Sequence, residues 1–409
     1  MESKKNEKTH LILNFDINQT IILEDKSKNL DFESGVKSCI VDYAWGIYDK
    51  SLKKWTLTEN YLSHKRPKQN LENYNYYMDQ IYPLKTEKEI PDNEERYKKN
   101  NEIKRYKENL FIEFLGKGQP GEKLYNIYQN IIKKLKISDN IMVKINQENS
   151  KYSQFYKELY KNGYIFIFPS LFRLMIELQN ENRVFTIIFR TFGYDFDNVI
   201  KEYNSFCEGE HPIFSGKRRD EKYPTKFFDG THNSKDYRIK ENNIGILYRF
   251  DEKINNICLV LGTLQRINAK NCNDLFSFYE EQINEKKINI IKGGKNIYEY
   301  IINASSVEKI NSFCINDHYE TWFKYDKRSI CGKPMLIDPD NKKVEIFFFD
   351  DNITNGDKSI VDCRNVNTGN IIESKDFKDK YLLETDILKA AEDEYYYLNF
   401  IRQAEKKIG

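Results

Sequence analysis

The stretch LILNFDINQTII, residues 11–22, decides how the rest of this chain is interpreted. A mostly apolar run leads into Asp16, and Asn18 and Thr20 follow at alternate positions. Such a run is typical of a buried parallel strand that carries a carboxylate at its C-terminal end. Ligands of open α/β sheets bind at that edge. Asp and Asn are also common turn residues, so this stretch alone does not separate chemistry from turn formation.

Composition sets the broad class of the chain. Its 409 residues are 39% hydrophobic and 14% aromatic, which is enough to bury a large core and excludes a disordered chain. With 65 Lys and Arg against 63 Asp and Glu, the net charge of +2 gives no signature of binding to nucleic acid or to an anionic membrane. No apolar run approaches the length of a membrane span, and the charged N-terminus has no secretory pattern, so we expect a cytoplasmic protein.

The seven cysteines are dispersed and none forms a Cys-x-x-Cys pair. An odd, scattered set of this kind favours free thiols in a reducing compartment. It argues against a disulfide framework and against a zinc site. We therefore expect every cysteine to be a free thiol.

Two further apolar runs resemble the first. VFTIIF, residues 184–189, leads to Thr191, and VEIFFF, residues 344–349, leads to Asp350 and Asp351. Each has the length and composition of a buried strand. If these strands are neighbours in one parallel sheet, their terminal side chains meet at one edge. Several carboxylates at one edge require a cation, and a few hard oxygen ligands suit Mg²⁺.

These motifs, in this order, resemble those of the haloacid dehalogenase-like (HAD) superfamily. Residues 16–20, DINQT, resemble its first motif, and FTIIFRT ending at Thr191 resembles its second. Its third motif is a lysine, often in a Lys-Pro pair, which matches Lys333. FFFDD, ending at Asp350 and Asp351, resembles the fourth. The resemblance implies an α/β fold, a Rossmann-like doubly wound parallel sheet with large α+β cap insertions.

The resemblance also implies a role for each matched residue. Asp16 would be the nucleophile that forms an aspartyl-phosphate, Thr191 would hydrogen-bond the phosphoryl oxygens, and Lys333 would hold the charges of Asp16 and the phosphate together. Mg²⁺ would be bound by Asp16, Asp350 and Asp351.

Position 18 is where the chain departs from the phosphatases of this family. They carry Asp at this position, which protonates the leaving group and then activates water, whereas this chain has Asn18. An amide cannot hold or release a proton at ordinary pH. Asn18 would therefore have the lesser catalytic role of orienting a water molecule or a leaving group that needs no protonation. The backbone carbonyl of residue 18 is a metal ligand in the family, and Asn18 can supply that carbonyl as well as any other residue.

The predicted organisation interleaves core and insertions. We assign residues 1–50, 159–215 and 326–409 to the HAD-like core, the last part with a closing C-terminal helix from about Thr385 to Lys406. Residues 51–158 form a cap insertion with a hairpin extension and helices, and residues 216–325 form a second, α+β insertion. Neither insertion has a motif that identifies its type.

Three functions remain open. The first is a Mg²⁺-dependent phosphohydrolase or phosphotransferase acting on a phosphorylated small molecule or phosphoprotein. The second is a catalytically impaired HAD-like scaffold that binds a protein partner through its insertions. The third is a dehalogenase-type hydrolase, which uses Asp without a second acid, but the acid pair at the end of residues 344–351 fits a metal-dependent site better.

Overall fold

The computed structural model describes residues 9–23, 31–147, 149–193, 196–214, 228–231, 234–354, 359–373 and 377–408. The strands are β1 His10–Asp16, β2 Trp45–Asp49, β3 Lys54–Leu57, β4 Glu72–Asn73, β5 Val184–Thr191, β6 Ile244–Arg249, β7 Ile257–Leu261, β8 Asn289–Lys292, β9 Ser312–Asp317, β10 Lys333–Ile337, β11 Val344–Asp350, β12 Val361–Asn365 and β13 Leu382–Glu384. 

The helices are α1 Phe32–Tyr43, α2 Tyr74–Ile81, α3 Asn93–Glu113, α4 Tyr125–Leu135, α5 Asp139–Gln147, α6 Ser153–Leu159, α7 Pro169–Asn180, α8 Phe196–Cys207, α9 Cys272–Phe278, α10 Glu280–Asn284, α11 Gly294–Val307, α12 Tyr319–Lys324, α13 Ile387–Glu392 and α14 Tyr396–Ile408. In the described part of the chain, none of these helices has the length and apolarity needed to cross a membrane.

A mostly parallel eight-stranded sheet, in the order β13-β11-β1-β5-β9-β6-β7-β8, is the centre of the fold. The pairs from β13 to β6 are parallel, and β7 and β8 are added antiparallel at one edge. The chain is therefore a mixed α/β protein, as the sequence predicts at this level. A separate parallel pair joins β10 to β12.

Strand β1 lies between β11 and β5, and its sequence explains this central position. Leu11, Leu13 and Phe15 are fully buried and Ile12 nearly so, because both faces of the strand are covered. A strand buried on both faces carries a continuous apolar run instead of an alternating one. The predicted strands at residues 184–189 and 344–349 are likewise confirmed as β5 and β11.

The chain divides into two compact units. One contains the described residues up to Ile22, then Ser138–Lys161 and the chain from Ile165 onward. The other contains Leu23–Ile137 and Asn162–Tyr164, with the antiparallel sheet β3-β2-β4. Residues 216–325, predicted as an insertion, supply β6, β7, β8 and β9 to the central sheet.

The closing C-terminal helix predicted from Thr385 to Lys406 is wrong as a single helix, because it is divided into α13 and α14. Helix α13 ends at Glu392, and the side chain of Asp393 accepts a hydrogen bond from the backbone N–H of Tyr395 at 2.9 Å. An aspartate that bonds the backbone two residues on competes with helix continuation.

The prediction that all cysteines are free is also wrong, because Cys258 and Cys272 form a disulfide. Cys258 lies in β7 and Cys272 begins α9, so the fold brings together two residues 14 positions apart that have no recognisable spacing motif. The other five cysteines are free and buried.

Thiol titration tests this pairing. Denatured, non-reduced protein is expected to expose five reactive thiols and reduced protein seven, because only one pair is bonded. Reduction is expected to lower the free energy of unfolding by about 2–3 kcal/mol, since closing a loop of this length restricts the unfolded chain. Seven reactive thiols in denatured, non-reduced protein would contradict the pairing.

Candidate active site

The carboxyl ends of β11, β1 and β5 form the candidate site. Phe15 is in register with Phe349 of β11, and Asp16 with Arg190 of β5. Asp16, Asp350 and Thr191, each the last residue of its strand, therefore reach the same edge of the sheet. The edge predicted from the apolar runs is the edge that these three residues share.

Lys333 connects two of these strand ends. Its ammonium group donates to a carboxylate oxygen of Asp16 and to Oδ2 of Asp350, the latter at 2.7 Å. Lys333 is 1% exposed and Asp350 is fully buried. Burial removes the hydration of these ions. Their attraction compensates for that loss only when the charged groups are in good hydrogen-bonding geometry.

Asp351 completes a cluster of three carboxylates. One oxygen each from Asp16, Asp350 and Asp351 lies within 4.8 Å of the others, and Asp351 is only half-buried. The backbone N–H of Asn352 donates to Oδ1 of Asp350 at 2.9 Å, which fixes that carboxylate. The cluster can offer a metal ion three hard oxygen ligands.

Two acids of the cluster, Asp16 and Asp351, resist ionisation when no cation is bound. Burial and the neighbouring Asp350 raise the pKa of Asp16 from 3.8 to about 7, although Lys333 opposes the rise. Burial, Asp350 and Asp16 likewise raise the pKa of Asp351 well above its ordinary range. Burial by itself would lower the pKa of Lys333, but Asp16 and Asp350 outweigh it, so this pKa is raised. The site therefore has one fixed positive charge, on Lys333, and three carboxyl groups around it.

Thr191 is buried at the end of β5 and its side-chain orientation is fixed. Its Oγ1 accepts a hydrogen bond from the backbone N–H of Gly193 at 2.9 Å. A hydroxyl that accepts one hydrogen bond keeps its own proton for donation. Thr191 can therefore donate to an anionic oxygen bound at this edge.

Asn18 lies in a tight turn just after β1. The carbonyl of Ile17 accepts hydrogen bonds from the N–H groups of Ile21 and Ile22 at 3.0 and 3.2 Å, and Gln19 has a φ of 55°. Tyr397 of α14 donates its hydroxyl to the carbonyl of Thr20 at 2.7 Å, which holds the turn. The structure thus places half-buried Asn18 two residues beyond Asp16, while Asp16, Lys333, Asp350 and Asp351 are brought together directly.

Two buried residues that the sequence analysis missed support the site from β5 and β9. Arg190 donates to both carboxylate oxygens of Asp317, at 2.9 and 2.5 Å, and its Nη1 donates to the carbonyl of Pro334 at 3.1 Å. The available signal was an arginine within the apolar run FTIIFRT, because a buried arginine requires an acidic partner. Its partner is 127 residues away and cannot be inferred from spacing.

The loop after Thr191 is fixed by Asn316, the other polar residue at the end of β9. Asn316 donates through Nδ2 to the carbonyl of Gly193 at 2.6 Å, and Arg266 donates to its Oδ1 at 2.8 Å. Asn316 therefore holds Gly193, the residue whose N–H binds the Thr191 hydroxyl.

Comparison of the whole chain with protein-family models, with curated proteins and with solved structures finds no match in any of the three.

Proposed function

We propose that this chain is a Mg²⁺-dependent, HAD-like phosphohydrolase or phosphotransferase with a Rossmann-like core, in which Asp16 is the nucleophile. The observation that carries the proposal is the buried contact of Lys333 with both Asp16 and Asp350, inside a carboxylate cluster at the carboxyl edge of the sheet. This arrangement combines a nucleophile, a fixed positive charge and oxygen ligands, which are the groups that phosphoryl transfer uses.

The charge of the cluster favours a divalent cation. With Asp16, Asp350 and Asp351 ionised and Lys333 protonated, the cluster carries a net charge of −2, which one Mg²⁺ neutralises. Their oxygens are hard ligands in small number, as Mg²⁺ prefers, and the carbonyl of Asn18 is the further ligand that the family resemblance implies. When bound, Mg²⁺ neutralises charge on the phosphoryl group and on the carboxylates.

The chain's own residues account for the transfer step. An oxygen of Asp16 forms a bond to phosphorus while the bond from phosphorus to the leaving oxygen breaks, and that oxygen departs with the electron pair. Lys333 and the Thr191 hydroxyl bind the non-bridging oxygens, where negative charge is concentrated. Asn18 cannot give the departing oxygen a proton. The proposed substrate, a phosphorylated small molecule or phosphoprotein, therefore has a leaving group that is stable as an anion or takes its proton from water.

Asn18 also supports a second candidate, a catalytically impaired scaffold that binds a protein partner through its insertions. General acid–base assistance is worth about 10²–10⁴-fold, and its loss would leave a site that binds but turns over slowly. A pulldown that compares the full chain with a chain lacking residues 51–158 tests this candidate. A cytoplasmic location stays an expectation from the sequence.

A panel of phosphoesters assayed with Mg²⁺ distinguishes the two candidates. Wild type is expected to hydrolyse esters with good leaving groups, such as p-nitrophenyl phosphate, and to be trapped by beryllium fluoride. Asn18→Asp is expected to hydrolyse poorer leaving groups about 10²–10⁴-fold faster than wild type, because it restores the acid. Turnover by Asn18→Asp alone would favour the impaired scaffold. Absence of turnover and of Mg²⁺ binding in every protein would refute the enzyme.

The affinity for Mg²⁺ is expected to increase with pH. Protons compete with the cation for Asp16, whose pKa is about 7 without it, so ionisation between pH 6 and pH 8 should raise the affinity about tenfold. Isothermal titration calorimetry in buffers of different ionisation enthalpy measures the affinity and the protons released. An affinity that is independent of pH over this range would show that Asp16 does not bind the ion.

A further inference from the structure

The residues on either side of Lys333 are each held by a buried arginine. Arg249, at the end of β6, donates through Nη1 to the carbonyl of Gly332 at 3.1 Å. Arg190 donates through Nη1 to the carbonyl of Pro334, also at 3.1 Å. The two arginines are 2% and 4% exposed, so both contacts lie in the protein interior.

Each arginine is in turn fixed by a buried carboxylate. Arg190 is held bidentately by Asp317, and Arg249 donates to Oδ2 of Asp362 at 2.7 Å. Asp362 lies in β12 and also accepts two hydrogen bonds from Arg364, at 2.7 and 2.8 Å. Bidentate and charge-assisted hydrogen bonds fix direction as well as distance. The positions of both donating arginines are therefore well defined.

Lys333 needs such support because its strand is outside the central sheet. Asp16 and Asp350 are positioned by the parallel ladder between β1 and β11, whereas β12 is the only described strand that pairs with β10. Pro334, the second residue of β10, has no N–H to contribute to a ladder. The backbone at Lys333 thus depends on other contacts for its place opposite the two carboxylates.

The turn before Lys333 is closely packed as well. The N–H of Lys333 donates to the carbonyl of Ile360 at 2.8 Å, and a Cβ on Gly332 would collide with that same carbonyl oxygen. Glycine is required here by the close approach of two backbones. The backbone at Gly332, to which Arg249 donates, therefore cannot move toward Ile360 if that contact is altered.

We infer that Arg190 with Asp317, and Arg249 with Asp362, are positioning residues that fix the Lys333 ammonium between Asp16 and Asp350. Their effect on phosphate binding rests on the proposed function, while their effect on the place of Lys333 does not. In a purely structural role, the two arginines would only neutralise the buried charges of Asp317 and Asp362. Two guanidinium groups bonded to the carbonyls immediately before and after one lysine favour positioning instead.

Crystal structures of Arg249→Lys and Arg190→Lys test the position directly. Each lysine keeps the positive charge but cannot reproduce the planar, multiple donation of arginine. The expected result is loss of the Lys333–Asp350 contact, with the β1 and β11 ladder unchanged. Both arginines are substituted because either variant could fail to fold. The structure of one folded variant is enough to show whether Lys333 keeps its position. Retention of both Lys333 ion pairs in a folded variant would overturn the inference.

A double-mutant cycle measures the consequence for binding. With Mg²⁺ present, Arg249→Lys is expected to weaken the binding of inorganic phosphate about tenfold in the wild-type background and by less than twofold in a Lys333→Met background. Equal losses in both backgrounds would mean that Arg249 acts independently of Lys333, which overturns the inference. Arg238→Lys is the matched control and should leave phosphate affinity unchanged, because the Arg238 guanidinium donates to Asp236, Glu208 and the carbonyl of Asp229 and not to β10.

The two proposals fail in different ways. If wild type binds neither Mg²⁺ nor phosphate, the proposed function is wrong, and the variant structures still decide where Lys333 lies. If wild type binds both and Lys333 keeps its place in the arginine variants, the proposed function stands and the positioning role does not.

Discussion

Asp16→Asn is expected to abolish Mg²⁺-dependent phosphoester turnover, by at least about 10³-fold, and to make the metal-free protein more stable at pH 8. Activity is lost because an amide oxygen cannot form the covalent phosphoryl intermediate. Stability rises because one of three acids that repel one another becomes neutral. Opposite changes in activity and stability from one substitution are typical of a functional site rather than of a structural ion pair.

The pH dependence of stability follows from the same carboxyl. The pKa of Asp16 is raised from 3.8 to about 7 in the folded protein, so between these values the folded state holds a proton that the unfolded state has released. The free energy of unfolding therefore decreases as pH rises from about 4 to about 7, by up to about 4 kcal/mol. Asp16→Asn removes this decrease but also loses an ion pair with Lys333. A net gain of about 1–2 kcal/mol at pH 8 is expected.

Urea denaturation at pH 5 and pH 8 without divalent cations measures the effect. Asp340→Asn, in an exposed loop, is the control and should change stability by less than about 0.5 kcal/mol at both pH values. Addition of Mg²⁺ should stabilise wild type more than Asp16→Asn, because only wild type has the complete set of carboxylates. Undiminished turnover in Asp16→Asn would exclude Asp16 as the nucleophile.

Lys333→Met is expected to produce the largest loss of stability of any substitution in the site, about 3–5 kcal/mol at pH 8 without Mg²⁺. Methionine fills a similar volume but leaves two buried carboxylates without their cation. At pH 5 the loss should be smaller, because Asp16 and Asp351, whose pKa values are raised, can take up protons instead. Mg²⁺ should recover part of the stability, since it replaces the missing positive charge.

The control for this substitution is Lys295→Met on α11, where the lysine is exposed and the expected change is within about 0.5 kcal/mol. Chemical denaturation of both variants, with and without Mg²⁺, provides the comparison. If Lys333→Met is as stable as Lys295→Met at pH 8, Lys333 does not offset the buried negative charges of Asp16 and Asp350.

The parts of the fold that sequence could predict are those with a strong local signal. Strands β1, β5 and β11 carry continuous apolar runs because both of their faces are buried, and each run ends at the residue that reaches the site. The assembly of Asp16, Lys333, Asp350 and Asp351 followed from motif order and is present in the structure. The roles of these residues, and the identity of the metal, stay predictions.

What sequence could not supply depends on long-range pairing. Strand β9 joins the central sheet by pairing with β5, and β6 joins it by pairing with β9. The sequence of residues 216–325 has no local signal that distinguishes a strand of the central sheet from a strand of an insertion. Arg190 and Asp317, and Arg249 and Asp362, are pairs that only the folded topology brings together. The Cys258–Cys272 bond and the division of the last helix depend instead on local geometry, which composition does not reveal.

The place of β1 between β5 and β11 has a consequence for how the chain is made. The side chain of Asn14 in β1 donates to the carbonyl of Phe347 in β11, two residues 333 positions apart. During synthesis, Asn14 of β1 is translated 333 residues before its partner Phe347 in β11. An apolar strand whose edge stays unpaired while the intervening residues are translated is an aggregation risk, and contacts this distant in sequence form slowly. Recovery of folded protein should therefore depend on translation speed and on chaperones that bind exposed strands.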